Sequence, residues 1–143
     1  MIVSQACYRK LRHYKYQLVA DYTLTIDLKP ENDIKTPFIE LTTGGQLTMK
    51  KRYAWDGPSG PTIDTRSFMR GSLVHDALYQ LMREEYLDYE KHRAYADKLL
   101  RELCLEDGML RARAWWVYEA VRLFAEMAAR PRENSPDEVI CVP

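Results

Sequence analysis

The sequence is poor in the groups that most often announce a site. Its soft ligands amount to three histidines and three cysteines, and Cys7, Cys104 and Cys141 fall at no C-x-x-C spacing. An odd number of cysteines without metal-type spacing argues against a zinc cluster or a disulfide framework, so reduced thiols in a reducing compartment are expected. Net charge is missing as well: 21 Lys and Arg stand against 21 Asp and Glu. No overall field draws such a chain onto nucleic acid or an anionic membrane, so nucleic acid is not an expected partner and any such binding has to be local. Long apolar runs are absent too, none approaching the ~18 residues of a bilayer-crossing helix, so no transmembrane segment is expected. The opening MIVSQACYRKLRHYKYQ lacks the basic-then-apolar pattern of a leader; synthesis in the cytoplasm with no signal peptide is the expectation. Neither an internal repeat nor a low-complexity block occurs.

What is present suits one domain. At 143 residues and 46% hydrophobic the chain has the size and apolar content for one continuous core. The pattern predicts a single α+β domain over 1–130 and an irregular C-terminal arm over 131–143, where PRENSPDEVICVP carries three prolines and no period. From Tyr16 to Leu28, Leu18, Ala20, Tyr22, Leu24 and Ile26 alternate in the manner of a strand. Lys29 to Asp33 breaks the run. Pro37 to Thr42, the pair Gly44-Gly45 and Gln46 to Tyr53 then read as a hairpin, giving a small N-terminal antiparallel sheet. WDGPSGPTID, from Trp55 to Asp64, fits neither helix nor ladder and is read as a glycine-proline loop at the junction with a three-helix unit. Asp64 or Thr65 can cap a first helix running to Arg83; a second should run from Asp88 to Glu106 and stop at Asp107-Gly108. A third is predicted from Met109 to Arg130, with Arg111, Glu119, Arg122, Glu126 and Arg130 outward and Trp115, Val117, Val121, Phe124 and Met127 buried.

On the first helix Ser72, His75, Asp76, Tyr79 and Arg83 fall within one arc, and Leu73, Val74, Ala77, Leu78 and Leu81 lie opposite. On the second, Ala96, Leu99, Leu100 and Leu103 form the apolar stripe, with Asp97 at its margin and Arg93 one turn before it. The short connection Glu84 to Leu87 favours antiparallel packing, which lets Asp97 accept a proton from one nitrogen of His75. The other nitrogen is then free to deprotonate a water or hydroxyl. Asp76, pointing elsewhere on the arc, would face the loop, where a carboxylate and backbone carbonyls together suit Ca²⁺. A plainer account exists for each residue. His-Asp pairs arise by chance, and Arg93 and Asp97 at i, i+4 make an ordinary exposed salt bridge. Tyr79 in mid-arc, with Phe68 beside it, argues instead that the face is covered. His92 lies in an apolar stripe as a partly buried core histidine, and His13 sits in a basic irregular segment. Trp55 and Asp56 staple the loop, the indole against the core and the carboxylate on backbone amides. Trp115-Trp116 reads as core, with a membrane-facing stripe as the other choice.

The order of WDGPSGP, LVHDALY and RAYADKLL resembles a phage and prophage family known as domain of unknown function 1353, over roughly Tyr53 to Leu103. The matching positions are Trp55, Asp56, Gly57, Ser59, Pro61, His75, Asp76, Tyr79, Arg93 and Asp97. That family brings no established activity; it implies a phage-encoded protein made in the host cytoplasm, with other virion proteins as partners if it is virion- or tail-associated. The same stretch is more distantly similar to phospholipase A2, in which a glycine-rich calcium loop precedes a His-Asp-x-x-Tyr helix and an aspartate from another helix orients the histidine. This likeness implies His75 as the activator of water, Asp97 and Tyr79 as its supports, and Asp76 with carbonyls near Trp55, Gly57 and Ser59 as calcium ligands. The flanking cysteines of those secreted enzymes are Val74, Ala77 and Leu78 here. Two functions follow as expectations: a small hydrolase of esters or amides, or a non-enzymatic virion or tail-associated protein in which Trp55, Asp56, His75, Asp76 and Asp97 form a buried polar network.

Overall fold

Alternation buries Tyr22, Leu24, Ile26 and Leu28 and leaves Thr25 and Asp27 outside, as a sheet covered on one face requires. A computed structural model describes residues 6–10, 16–55 and 66–124. Most of the glycine-proline loop, His13, Cys141 and the arm at 131–143 lie outside the described residues. Within them the order is β1 Tyr8–Lys10, β2 Tyr16–Leu18, β3 Tyr22–Thr25, β4 Ile34–Lys35, β5 Ile39–Leu41, β6 Gln46–Met49, β7 Ala54–Trp55, then α1 Arg66–Arg83, α2 Tyr89–Glu106 and α3 Arg111–Phe124. The class is α+β, as expected.

The strands form two antiparallel sheets rather than one, ordered β1-β2-β7 and β3-β6-β5-β4. The run expected from Tyr16 to Leu28 therefore breaks after Leu18, and Ala20 is exposed. Here the chain turns a corner from one sheet into the other. Asp21 Oδ1 accepts the Lys51 amide at 2.6 Å, and Arg52 turns through φ 81°, so the neighbouring strand bends at the same level. Backbone bonds from Leu18 N to Tyr53 O and from Arg52 N to Leu18 O, both 2.9 Å, tie the two bends together. At the β5–β6 turn Gly45 has φ +86°, and a Cβ there would stand 2.3 Å from the Ile26 carbonyl oxygen. That close approach requires glycine. Trp55, expected in the loop, instead ends β7, where it pairs with Tyr16.

The inner faces of both sheets pack on α1 around Tyr22, Ile39, Leu47, Leu73, Leu78 and Leu81. Because α1 lies between this core and α2, most of its surface is buried, including Ser72, His75 and Tyr79 of its polar arc, while Asp76 and Arg83 stay partly exposed. α2 begins as expected, with Asp88 Oδ1 accepting the Glu90 amide at 3.0 Å, which satisfies an otherwise unpaired first-turn donor. It ends at Asp107, with Gly108 at φ +94°. Asp107 also grips the buried Arg70 in two-pronged fashion, at 3.0 Å from Nε to Oδ2 and 3.0 Å from Nη2 to Oδ1. This pair fastens the end of α2 to the first turns of α1.

The two helices run antiparallel, Gly71 facing Leu100 and Cys104 while His75 faces Asp97. At Gly71 a Cβ would lie 2.9 Å from Leu100 Cδ1 and 3.0 Å from Cys104 Sγ. The missing side chain is what lets the helices close. α3 rests on a smaller cluster of Phe68, Leu100, Cys104, Met109, Ala114 and Val117. The expected burial of Trp115 is overturned, since its side chain is 57% exposed. Ala114, Val117 and Val121 are the residues that face the core, one turn apart, and Trp115 projects from the opposite side.

Candidate functional site

Antiparallel packing and the glycine contact one turn away bring His75 on α1 to Asp97 on α2. His75 Nε2 lies 2.8 Å from Asp97 Oδ1, the contact the sequence predicts. Asp97, expected at the margin of its stripe, is fully buried. A buried carboxylate accepts, so Nε2 carries the imidazole proton and Nδ1 of the neutral ring keeps its lone pair. Tyr79 donates to the same Oδ1 at 2.5 Å, and its ring lies against His75 with centroids 4.1 Å apart. The histidine is thus held in place by a hydrogen bond on one edge and an aromatic ring on one face. Asp97 Oδ2 is buried with no partner among the described residues.

Asp76 stands on the other side of the imidazole, with Oδ1 3.9 Å from Nδ1. That separation is too long for a direct hydrogen bond but short enough for electrostatic attraction. Asp76 is partly exposed, whereas His75 is 6% exposed. Burial by itself disfavours the imidazolium; Asp76 and Asp97 more than offset it, and the His75 pKa is raised above the ordinary histidine value.

Trp55 supplies a further tie. Its Nε1 donates to Ser72 Oγ at 3.2 Å, and Ser72 donates to the Met69 carbonyl at 2.9 Å. The indole is buried, as the stapling reading anticipates, and stacks on Tyr53. Ser72 lies one helical turn before His75, so this bond fixes the end of β7 beside the histidine. Asp56, Gly57, Ser59 and Pro61 lie outside the described residues, and with them most of the calcium site that the phospholipase likeness implies. Among the described residues no three His, Cys, Asp or Glu side chains converge as a metal-binding group.

Arg93 does not pair with Asp97 as an exposed salt bridge. Its Nη1 donates to the Arg122 carbonyl at 3.3 Å, because Asp97 points into the helix interface and Arg93 toward α3. His92 is partly buried, as expected, and its pKa is lowered by burial and by Lys91. Sequence reasoning missed two contributors, Gly71 and Arg70. The glycine had no turn or cap to signal it, and Arg70 meets a carboxylate 37 residues away.

The chain matches no family model, no curated protein and no solved structure.

Proposed function

We propose that the chain is a small hydrolase of ester or amide bonds in which His75 is the general base and Asp97 its orienting partner. The observation that carries this reading is the 2.8 Å bond from His75 Nε2 to Asp97 Oδ1, with Tyr79 on the same oxygen and Nδ1 left on the Asp76 side. Nδ1 takes a proton from water as the water oxygen attacks the acyl carbon. The imidazolium so formed lies between two carboxylates, and it returns the proton to the departing alkoxide or amine. Tyr79 and Ser72 act as positioning residues, one on Asp97 and one on Trp55. The resemblance to phospholipase A2 supports the same assignment of roles.

One observation favours a second reading, a non-enzymatic protein in which these groups only lock the core: His75 and Asp97 are both buried. His75→Gln separates the two. A glutamine amide can still donate to Asp97 but takes no proton at neutral pH. The hydrolase reading expects hydrolysis by the native chain somewhere in a panel of phospholipid, acyl-ester and peptidoglycan-type substrates. In His75→Gln that activity should fall by roughly 10²–10⁴ while Tm stays close to wild type. His75→Ala should cost stability as well, about 1–3 kcal/mol for the acceptor left unpaired. A native chain inert across the panel leaves only the locked network.

A further inference from the structure

Two hydrogen-bond acceptors face each other on α1. With the imidazole proton on Nε2, where Asp97 holds it, Nδ1 of the neutral ring offers a lone pair and no hydrogen. Asp76 Oδ1, 3.9 Å from Nδ1, offers lone pairs as well. Neither can donate to the other, so one molecule that satisfies both has to bring two donors. Water is the smallest that does, and its hydrogen bonds of about 2.8 Å reach two acceptors roughly 4 Å apart. The two sides of the ring also differ in access. Asp97 and Tyr79 close the Nε2 edge and are buried, whereas the Asp76 side chain is 34% exposed. Among the described residues the polar side-chain atoms sealed from solvent without a partner are Tyr22 Oη, Arg70 Nη1 and Asp97 Oδ2. His75 Nδ1, which makes no hydrogen bond to a described residue, is not one of them, so solvent reaches it.

We propose that Asp76 is a catalytic residue whose Oδ1 holds the attacking water together with His75 Nδ1, one hydrogen of the water on each. The role rests on the hydrolase reading, and it differs from the cation ligation that the phospholipase likeness implies for Asp76. With both hydrogens directed at the protein, the lone pairs of the water oxygen point away from it, toward an acyl carbon. As the oxygen–carbon bond forms, one hydrogen passes to Nδ1 as a proton and the carbonyl π pair moves onto the carbonyl oxygen. The other hydrogen stays on Asp76, which fixes the new hydroxyl while the intermediate collapses. The departing alkoxide or amine then takes the proton from the imidazolium, and the ring is neutral again. Adjacent residues of one helix supply both acceptors, so no loop has to set their spacing. That helix is held in turn by the Arg70–Asp107 pair and by the bond from Trp55 to Ser72.

The test joins a structural measurement to a kinetic one, both on the full chain. Crystals grown on the alkaline side of the histidine range, where the ring is neutral, and diffracting well enough to show ordered water, should place one water within about 2.6–3.2 Å of both Nδ1 and Asp76 Oδ1. Nitrogen NMR of the His75 ring in the same pH range should find its proton on Nε2. In Asp76→Ala the water should lose its fixed position. In Asp76→Asn the side-chain amide, now a donor, should bond Nδ1 directly and expel it. On whichever substrate of the panel the native chain hydrolyses, each variant should lower kcat about 10²-fold, the cost of a misplaced reactant, with KM little changed. A chelator should leave the native rate as it is. Four results overturn the role given to Asp76: a native structure in which no water bridges the two atoms, a ring proton on Nδ1, full kcat in Asp76→Ala, or a rate that requires added Ca²⁺. A chain that holds the water yet is inert across the panel overturns the proposal by way of the hydrolase reading, and the bound water tells that failure from the other four.

Discussion

Asp97 does its work through one oxygen. Oδ1 accepts from both His75 and Tyr79, so the imidazole is anchored by a group that is itself anchored. The sequence made this pairing legible because helical spacing and a short connection each point to it. Arg70 with Asp107 was not legible, since no local pattern links residues so far apart in the chain. The raised pKa of His75 has a consequence for stability. A histidine favoured as the cation in the folded state contributes stability that is fully present below its unfolded value, about 6.5, and lost as pH rises through the folded value. Stability from this residue should therefore decline with rising pH above about 6.5, and His75→Gln should flatten that slope in urea unfolding across a pH series. His92, with its lowered pKa, acts in the opposite sense and below about 6.5, so the two windows are separable. A slope above 6.5 that His75→Gln leaves intact would show that the carboxylates do not hold the imidazolium. The same shift puts the activity limb of a His75 base on the alkaline side of the ordinary histidine value, because only the neutral ring accepts a proton.

Helix α2 was legible at both ends because its punctuation is local: Asp88 caps it and Asp107-Gly108 stops it. The burial of α1 was only half legible. Spacing showed that Ser72, His75 and Tyr79 share an arc; that α2 covers the arc follows from Gly71, whose lack of a side chain sets how near the two helices come. Gly71→Ala should accordingly push them apart at Leu100 and Cys104, at a cost of about 1–3 kcal/mol for overpacking. The displacement should reach the dyad one turn away. The expected signature is a lower Tm together with a weakened His75–Asp97 hydrogen bond, seen as an upfield move of the Nε2 proton resonance. A variant as stable as the parent, with that resonance unmoved, would show that the interface has slack. α3 misled for a physical reason: large apolar side chains were assigned inward, but the small residues Ala114 and Val117 fill the shallow seat over Phe68 and Leu100. The bulky indoles are left outside.

For the molecule as a whole, the class was legible and the sheet arrangement was not. Ala20 keeps the apolar phase of Leu18, Tyr22 and Leu24, which hides the corner between β2 and β3. The corner becomes visible only through its partners, because Lys51 and Arg52 reach Asp21 and Leu18 from the turn between β6 and β7, some thirty residues on. That crossing is why neither sheet stands alone: each borrows a stretch of chain from the other, and both rest on α1. Amide hydrogen exchange should then find one cooperative unit where two sheets suggest two. The Leu18 and Arg52 amides at the corner should exchange with the same opening free energy as those of Leu24 and Leu47, and Gly45→Ala, made in the larger sheet, should lower all four together. Corner amides that open earlier, leaving Leu24 and Leu47 protected, would divide the unit. If that single unit extends through α1 to α2, His75 and Asp97 part only when the whole fold opens.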